Sequence, residues 1–264
     1  MKGDGRPAAL LVHGFNGEPM DMVEVERDLR ARGFATRNLT LPGHGLTARH
    51  FARTTWADWS AAVLAATSDL LERHPHVILA GHSMGGALVL HAAANEPRVS
   101  GVVALCPPLH MWFAQTSATA ALHRVLPYVP TFHEDVHDPT AALRYARKAY
   151  RWTPLAPAHS LFCTLRDQVQ HELPHVRCPA LVACSLRDHV VPARDGIEIY
   201  RRLGTLDKEL LVLEQSFHVI MKDLERDQVC ARVGAFAERA VAHALRQRAA
   251  TGSASVADAL PAWT

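Results

Sequence analysis

The chain has 264 residues, 48% of them hydrophobic, with 28 basic and 26 acidic side chains and a formal net charge of +2. This length and apolar content suffice for one domain with a large buried core. The balanced charge gives no electrostatic reason to expect nucleic acid as a partner. The five cysteines are scattered and odd in number, and Cys106 and Cys184 lie inside apolar runs, which is typical of buried thiols in a reducing compartment.

The first residues and the longest apolar runs of the chain are used to predict its localisation. No apolar run approaches the ~20 residues that a membrane helix needs. Residues 1–7 include charges, glycines and a proline, and the apolar stretch behind them is too short for a signal-peptide core. The sequence therefore predicts a cytoplasmic protein without stable membrane insertion, and it leaves open whether the chain is a monomer or a dimer. Residues 250–264 begin with small and polar side chains and are predicted to form a disordered tail.

Strand-like apolar runs alternate with helix-like segments along most of the chain. Strands are predicted near residues 8–12, 34–39, 77–81, 101–106, 179–184 and 209–214, and helices near residues 20–32, 57–73, 84–95, 193–203 and 228–247. This alternation predicts an α/β fold with a mostly parallel sheet and helices on both faces. Ligands of such sheets bind beyond the carboxyl ends of the strands, so the functional site is expected there.

Residues 111–175 interrupt this alternation. The segment is longer than an ordinary connection and is interrupted by prolines, among them Pro127, Pro130, Pro139, Pro154 and Pro157. We interpret it as a helical cap inserted into a core that residues 1–110 and 176–249 form.

A serine between glycines supplies the strongest chemical signal. Residues 81–86 are Gly-His-Ser-Met-Gly-Gly, and they lie between the apolar run 77–80 and the helix-like stretch 87–92. Glycines on both sides permit a sharp strand-to-helix turn that presents the serine hydroxyl as a nucleophile. An ordinary glycine-rich turn is the alternative interpretation. Ser83 is the candidate nucleophile.

An acid and a base follow two later strands. Asp188 comes after the apolar run 179–184, and His218 comes after the predicted strand 209–214. A neutral imidazole, with a pKa of about 6.5, can accept a serine proton at neutral pH, and a carboxylate can orient it. As alternatives, Asp188 could be a surface carboxylate paired with the adjacent arginine, and Asp195 and Asp207 are further candidates for the acid.

Acyl transfer also needs two backbone N–H donors for the developing oxyanion. Met84, the residue after the nucleophile, supplies the first. The apolar run 8–12 leads into a glycine-containing loop, His-Gly-Phe-Asn-Gly at 13–17, where the N–H of Phe15 is the second candidate. A simple turn is the alternative for this loop.

Together these segments resemble the α/β-hydrolase superfamily, and more narrowly bacterial carboxylesterases and monoacylglycerol lipases. The order Ser, Asp, His along the chain is the one found in that superfamily. The segment Leu-Pro-Gly-His-Gly at 41–45, followed by Trp56, Asp58 and Trp59, is similar as well. The resemblance implies that the cap follows the sixth strand in the family's usual order. Because the first strand begins near residue 8, the two leading strands of larger members are expected to be absent or abbreviated.

The resemblance implies a serine hydrolase that cleaves carboxylic esters of short-to-medium acyl chains through an acyl-enzyme intermediate. Ser83, Asp188 and His218 would form the triad, and the amides of Phe15 and Met84 the oxyanion hole. The substrate would be a small-molecule ester, with neither cofactor nor metal. Monoacylglycerol lipase is the nearest alternative. Thioester, carbon–carbon or amide hydrolysis, or a non-catalytic ligand receptor on the same fold, also remain open because fold does not fix function.

Apolar cap residues could wall an acyl-chain pocket, an idea that rests on the resemblance. The candidates for substrate binding are Met111, Trp112 and Phe113, together with Gly14 of the first loop. The alternative is that the cap residues pack the cap onto the core.

Residues 133–137, His-Glu-Asp-Val-His, match the His-Glu-x-x-His pattern of zinc peptidases. That chemistry needs both histidines on one face of a continuous helix. Pro130 and Pro139 bracket the segment and leave room for at most about two helical turns. A polar cap loop is therefore favoured over a metal site.

Overall fold

The structure is a computed structural model that describes residues 5–110, 122, 125–131, 135–144 and 152–257. Strands are β1 Ala8–Val12, β2 Ala35–Leu39, β3 Val77–His82, β4 Gly101–Leu105, β5 Tyr128–Pro130, β6 Trp152–Pro154, β7 Ala180–Ser185 and β8 Lys208–Leu213. Helices are α1 Val23–Ala31, α2 Ala48–Phe51, α3 Trp56–Arg73, α4 Met84–Asn95, α5 Pro139–Arg144, α6 Leu155–Thr164, α7 Gln170–Glu172, α8 Ala193–Arg202 and α9 Arg226–Ala257.

Within the described residues, six strands form one parallel sheet in the order β2-β1-β3-β4-β7-β8. The four interior strands β1, β3, β4 and β7 are buried along their whole length, as expected for a parallel sheet that helices cover on both faces. The predicted α/β fold is confirmed, and each of the six predicted strands begins and ends within one residue of the observed strand.

Alternate residues of the strands point to opposite sides of the sheet and build two apolar cores. Leu10 of β1 packs in the core that includes α3, α4 and α8, whereas its neighbour Leu11 packs in the core that includes α1 and α9. The period of two in a strand places consecutive side chains on opposite faces. Both faces of β1 are therefore anchored, which fixes the position of the loop that follows it.

The described part of the predicted cap contains a strand pair as well as helices. β5 and β6 pair antiparallel, with Val129 opposite Thr153. Helix α6 continues through a π-helical segment, Leu165–Val169, into α7 and a 3₁₀ turn, Leu173–His175, before β7 begins. The three-residue strands are too short to give a period in the sequence, so the prediction of a helical cap did not include them.

Helix α9 extends to Ala257 and therefore includes residues 250–257 of the segment that composition marks as a tail. Alanine is the strongest helix former, and alanines at 249, 250, 254 and 257 favour continuation. Residues 258–264 lie outside the described residues. Among the helices that the structure describes, none is long and apolar enough to cross a membrane.

Candidate active site

The strand register brings four loops to the carboxyl edge of the sheet. Val12 aligns with Gly81, His82 with Leu105, Leu105 with Ala183, and Ser185 with Leu213. The loops that follow β1, β3, β7 and β8 hold the four candidates Phe15, Ser83, Asp188 and His218. The predicted site residues are thus gathered at one edge, where parallel α/β sheets bind ligands.

Ser83 occupies the turn between β3 and α4 with φ 54° and ψ −122°. This left-handed φ is strained for a residue with a side chain. The Ser83 N–H donates to the carbonyl of Leu105 at 2.8 Å, which ties the turn to the neighbouring strand. A Cβ at Gly81 would collide with the Gly85 carbonyl, and one at Gly85 would collide with the carbonyl of Val12. The two motif glycines therefore allow strand, turn and helix to approach closely.

Asp188 and His218 form a direct hydrogen bond. The Nδ1 atom of His218 lies 2.7 Å from Oδ2 of Asp188, and the two side chains are 8% and 1% exposed. The other oxygen, Oδ1, accepts the N–H groups of Val190 and Val191 at 2.8 and 2.7 Å. Burial opposes ionisation, but His218 and these two N–H groups hold the pKa of Asp188 below its usual range. Asp188 is therefore a buried carboxylate that remains ionised and can orient an imidazole.

The alternative acids have other partners. Asp195 is fully buried in α8, and its Oδ2 accepts the N–H groups of Leu109 and His110, both at 2.8 Å. Burial raises the pKa of Asp195 despite these bonds. Asp207 lies 3.6 Å from the ring of His243, far along the chain in α9. Arg187, the other partner considered for Asp188, lies over the ring of Phe217.

His82 is a buried neighbour of the dyad that sequence reasoning missed as a functional residue. Its ring lies 4.7 Å from the ring of His218, and its Nε2 donates to the His218 carbonyl at 3.1 Å. Burial, and after it the adjacent His218, lowers the pKa of His82 to about 3. At neutral pH His82 is uncharged and supports the backbone of His218. In the sequence, only its position next to Ser83 in the glycine motif pointed to a role for His82 at the site.

Cys106 is a second neighbour that the sequence did not reveal. It follows β4 with φ 46° and is buried. Its sulfur, an oxygen of Asp188 and a ring nitrogen of His218 all lie within 4.8 Å of one another. Burial, and then the Asp188 charge, raises the pKa of Cys106 well above its ordinary value, so the neutral thiol persists at neutral pH. These three groups could ligate a metal ion, although two of them already bond to each other.

Aromatic packing holds the loop that carries Phe15. The Phe15 ring contacts Phe51 and Trp59 with centroid distances of 4.9 and 5.9 Å. The Nε2 atom of His44 donates to the carbonyl of Phe15 at 2.5 Å. An ideal Cβ on Gly14 would lie 3.2 Å from Cβ of Ser83. The Leu-Pro-Gly-His-Gly segment therefore supports the first loop, a role that its sequence alone did not reveal.

A buried ion pair joins the first loop to the last. Nζ of Lys222 lies 2.6 Å from Oδ1 of Asp21, with both side chains buried. The other oxygen of Asp21 accepts the N–H of Glu18 at 3.0 Å. Removing one partner of such a pair leaves an uncompensated buried charge. The pair therefore fixes the loop after β1 relative to the loop of His218.

Two candidate N–H donors are available at the site. Met84 is the first residue of α4, where backbone N–H groups have no partner within the helix. No described residue accepts a hydrogen bond from the N–H of Met84 or of Phe15. These amides, with the positive end of the α4 dipole, form an environment that can stabilise an oxyanion.

Part of the predicted substrate-binding set cannot be placed. Met111, Trp112 and Phe113 lie outside the described residues, whereas Gly14 lies against Ser83. In the zinc-like motif, residues 133 and 134 also lie outside them. His137 is described, and its Nδ1 donates to the carbonyl of Gln215 at 2.8 Å.

A parallel sheet with a strand–serine–helix turn and a bonded Asp–His pair at its carboxyl edge defines the α/β-hydrolase class. A family model described as "Serine aminopeptidase, S33" matches residues 4–225. The chain therefore belongs to the serine aminopeptidase S33 family of α/β-hydrolases.

Two relatives and one solved structure are similar over most of their length. A thermostable monoacylglycerol lipase of Bacillus sp. (strain H-257) is 30% identical and covers 87% of this chain and 89% of its own. A carboxylesterase of Bacillus subtilis (strain 168) is 28% identical and covers 89% and 94%. A solved structure of a metagenome-derived lipolytic enzyme is 33% identical, has a TM-score of 0.83, and covers 90% of this chain and 96% of its own.

Proposed function

We propose that this protein is a serine hydrolase that cleaves carboxylic esters of short-to-medium acyl chains through an acyl-enzyme intermediate. The observation that carries the proposal is the 2.7 Å hydrogen bond between buried Asp188 and His218, at the sheet edge where the strained Ser83 turn lies. The relatives named carboxylesterase and monoacylglycerol lipase support the same chemistry.

In this mechanism the Ser83 oxygen attacks the ester carbonyl carbon while Nε2 of His218 takes the hydroxyl proton. Asp188 holds the imidazole and stabilises the imidazolium. The amides of Phe15 and Met84 donate to the oxyanion of the tetrahedral intermediate. The intermediate collapses, the carbon–oxygen bond breaks, and His218 returns the proton to the departing alcohol.

The second half of the reaction releases the acid. Water enters, His218 removes one of its protons, and the resulting hydroxide attacks the acyl carbon bound to Ser83. A second tetrahedral intermediate forms on the same two amides. Its collapse expels the Ser83 oxygen, which recovers the proton from His218. Neither half of the reaction requires a cofactor.

A monoacylglycerol is the second candidate substrate. The observation that favours it is the 30% identity with a relative of that name over 87% of this chain. Such a substrate would place its acyl chain against cap residues, for which Met111, Trp112 and Phe113 are our candidates together with Gly14 of the first loop.

We further propose a cytoplasmic protein that acts on a small molecule and has no nucleic-acid partner. All five cysteines are free of disulfide bonds, which suits a reducing compartment. The formal net charge of +2 provides little attraction for a polyanion.

The test is hydrolysis of p-nitrophenyl esters from acetyl to palmitoyl, of a monoacylglycerol, and of a p-nitroanilide. Wild type and Ser83→Ala are compared, with Ser100→Ala as a control because Ser100 precedes β4 at the opposite edge of the sheet. We expect activity on short-to-medium esters, at least about 10⁴-fold less in Ser83→Ala, and no loss in Ser100→Ala. Ester hydrolysis that persists in Ser83→Ala, or turnover of the amide alone, would refute the proposal.

A further inference from the structure

Asp135 connects the two loops that carry the Asp–His dyad. Its Oδ2 accepts the N–H of His218 and the N–H of His189, both at 3.1 Å. Its Oδ1 accepts the ring Nδ1–H of His189 at 2.8 Å. The carbonyl of Asp135 accepts the N–H of Val219 at 3.1 Å. One side chain therefore binds the residue after Asp188 and the catalytic candidate His218 itself.

A second carboxylate fixes the segment 135–138 that presents Asp135. The buried side chain of Asp223 accepts the N–H groups of His137 and Asp138, at 2.8 and 2.9 Å. It also accepts the N–H of Phe217 at 2.7 Å. The ring of His137 stacks on the ring of Phe217 at 4.5 Å. The 135–138 segment is thus held against the His218 loop by groups other than Asp135.

The position of Asp135 suits a group that sets the distance between the loops. Its side chain is 16% exposed, and hydrogen bonds to an ionised acceptor are about twice as strong as neutral ones. The hydroxyl of Ser185 also bonds the carbonyl of Ser216, but that bond lies at the strand end of β7. Asp135 acts at the residues next to and within the dyad.

We propose that Asp135 is a positioning residue that fixes the spacing of the Asp188 and His218 loops. The inference rests on the proposed roles of Asp188 and His218. It assigns a function to part of the zinc-like motif at 133–137, for which the sequence favours a polar cap loop. Among the described residues, Asp135 has no contact with Ser83 or with the proposed oxyanion donors, but it does bind His218. Because His218 is the proposed base, we expect Asp135 to affect kcat rather than KM.

The variants Asp135→Asn and Asp135→Ala test this role, with Asp138→Asn as the matched control. Asp138 lies in the same segment, and among the described residues its side chain accepts a hydrogen bond only from the N–H of Thr140. Asparagine can place one neutral oxygen against the two N–H groups that Oδ2 accepts, but it loses the negative charge and the second acceptor, which binds the His189 ring. Alanine removes all three side-chain bonds. We expect kcat for a p-nitrophenyl ester to fall about 10-fold in Asp135→Asn and about 100-fold in Asp135→Ala, because small misplacements of catalytic groups are costly. In both Asp135 variants, KM should stay within about twofold of the wild-type value. In Asp138→Asn, both kcat and KM should stay within about twofold of the wild-type values.

Two further measurements report on the position of the catalytic groups without ester turnover. The rate at which a fluorophosphonate modifies Ser83 should fall in parallel with kcat. The downfield proton resonance of the His218–Asp188 hydrogen bond should shift or broaden in Asp135→Asn and stay in place in Asp138→Asn. An unchanged kcat and resonance in Asp135→Asn, or equal losses in Asp138→Asn, would overturn the inference. If the wild type cleaves no ester, the proposed function fails, but the resonance still tests the role of Asp135.

Discussion

His82 precedes the candidate nucleophile and is buried between the first loop and the His218 loop. Its pKa of about 3 in the folded protein lies far below the ordinary value of 6.5. Between these two values the unfolded chain binds a proton that the folded chain does not. Stability therefore increases with pH across this window, and it is lost as the pH falls from 6.5 towards 3.

Replacing His82 by glutamine removes this titration. Glutamine retains an N–H donor for the carbonyl of His218 and stays neutral at every pH of interest. Between pH 7 and pH 5 we expect the wild type to lose about 2 kcal/mol more unfolding free energy than His82→Gln. Urea unfolding at the two pH values measures this difference. Equal losses of unfolding free energy in the two proteins would mean that folding does not lower the pKa of His82.

At the residue scale, the sequence predicted the groups that carry a recognisable pattern. Ser83 lies in a glycine motif, and Asp188 and His218 each follow a predicted strand. Because the strands are parallel, these positions were enough to predict that all three residues lie at the carboxyl edge of the sheet. Cys106 and Asp135 could not be predicted in this way. Their contacts with Asp188, His189 and His218 depend on tertiary packing, which leaves no local signal in the sequence.

At the element scale, the turn between β3 and α4 stores backbone strain at Ser83. Its φ of 54° and ψ of −122° are easily reached by glycine and are costly for a residue with a Cβ. The close contacts of Gly81 and Gly85 with neighbouring backbone prevent the turn from relaxing. The strain is therefore maintained by the packing of the strand and the helix.

Two variants that both lack the hydroxyl measure this strain. Ser83→Gly should be more stable than Ser83→Ala by about 1 kcal/mol. The positive φ of this position is unfavourable for alanine, which has a Cβ, but not for glycine. Both should be inactive on esters. Thermal or urea unfolding of the pair gives the difference directly. A Ser83→Ala variant that is as stable as Ser83→Gly would mean that the turn is not strained.

Elements of ordinary length were predictable, whereas those of the cap were not. The six sheet strands each have five or six residues, and all but β2, which is Ala-Thr-Arg-Asn-Leu, are mainly apolar. Helix α4 was predicted with its observed bounds, 84–95. β5 and β6 have three residues each, and they exist because they pair with each other. Such a pairing involves residues distant in the chain and has no period to detect.

At the scale of the whole molecule, the sheet brings together residues that are far apart in the sequence. Phe15 and His218 belong to the first and the last strand loops of the site, and the buried pair of Asp21 with Lys222 joins these two loops. Asp195 anchors the backbone at Leu109 and His110, where the chain leaves β4 towards the cap. The sheet thus aligns the loops, and buried carboxylates hold them in place.

The central claim is that Ser83 is the nucleophile of this site. The most direct measurement is to treat the folded protein with a fluorophosphonate and to locate the adduct by peptide mass mapping. We predict one adduct, on Ser83 in the wild type, and none in Ser83→Ala. An adduct on another residue, or a folded wild type that acquires none, would contradict the assignment.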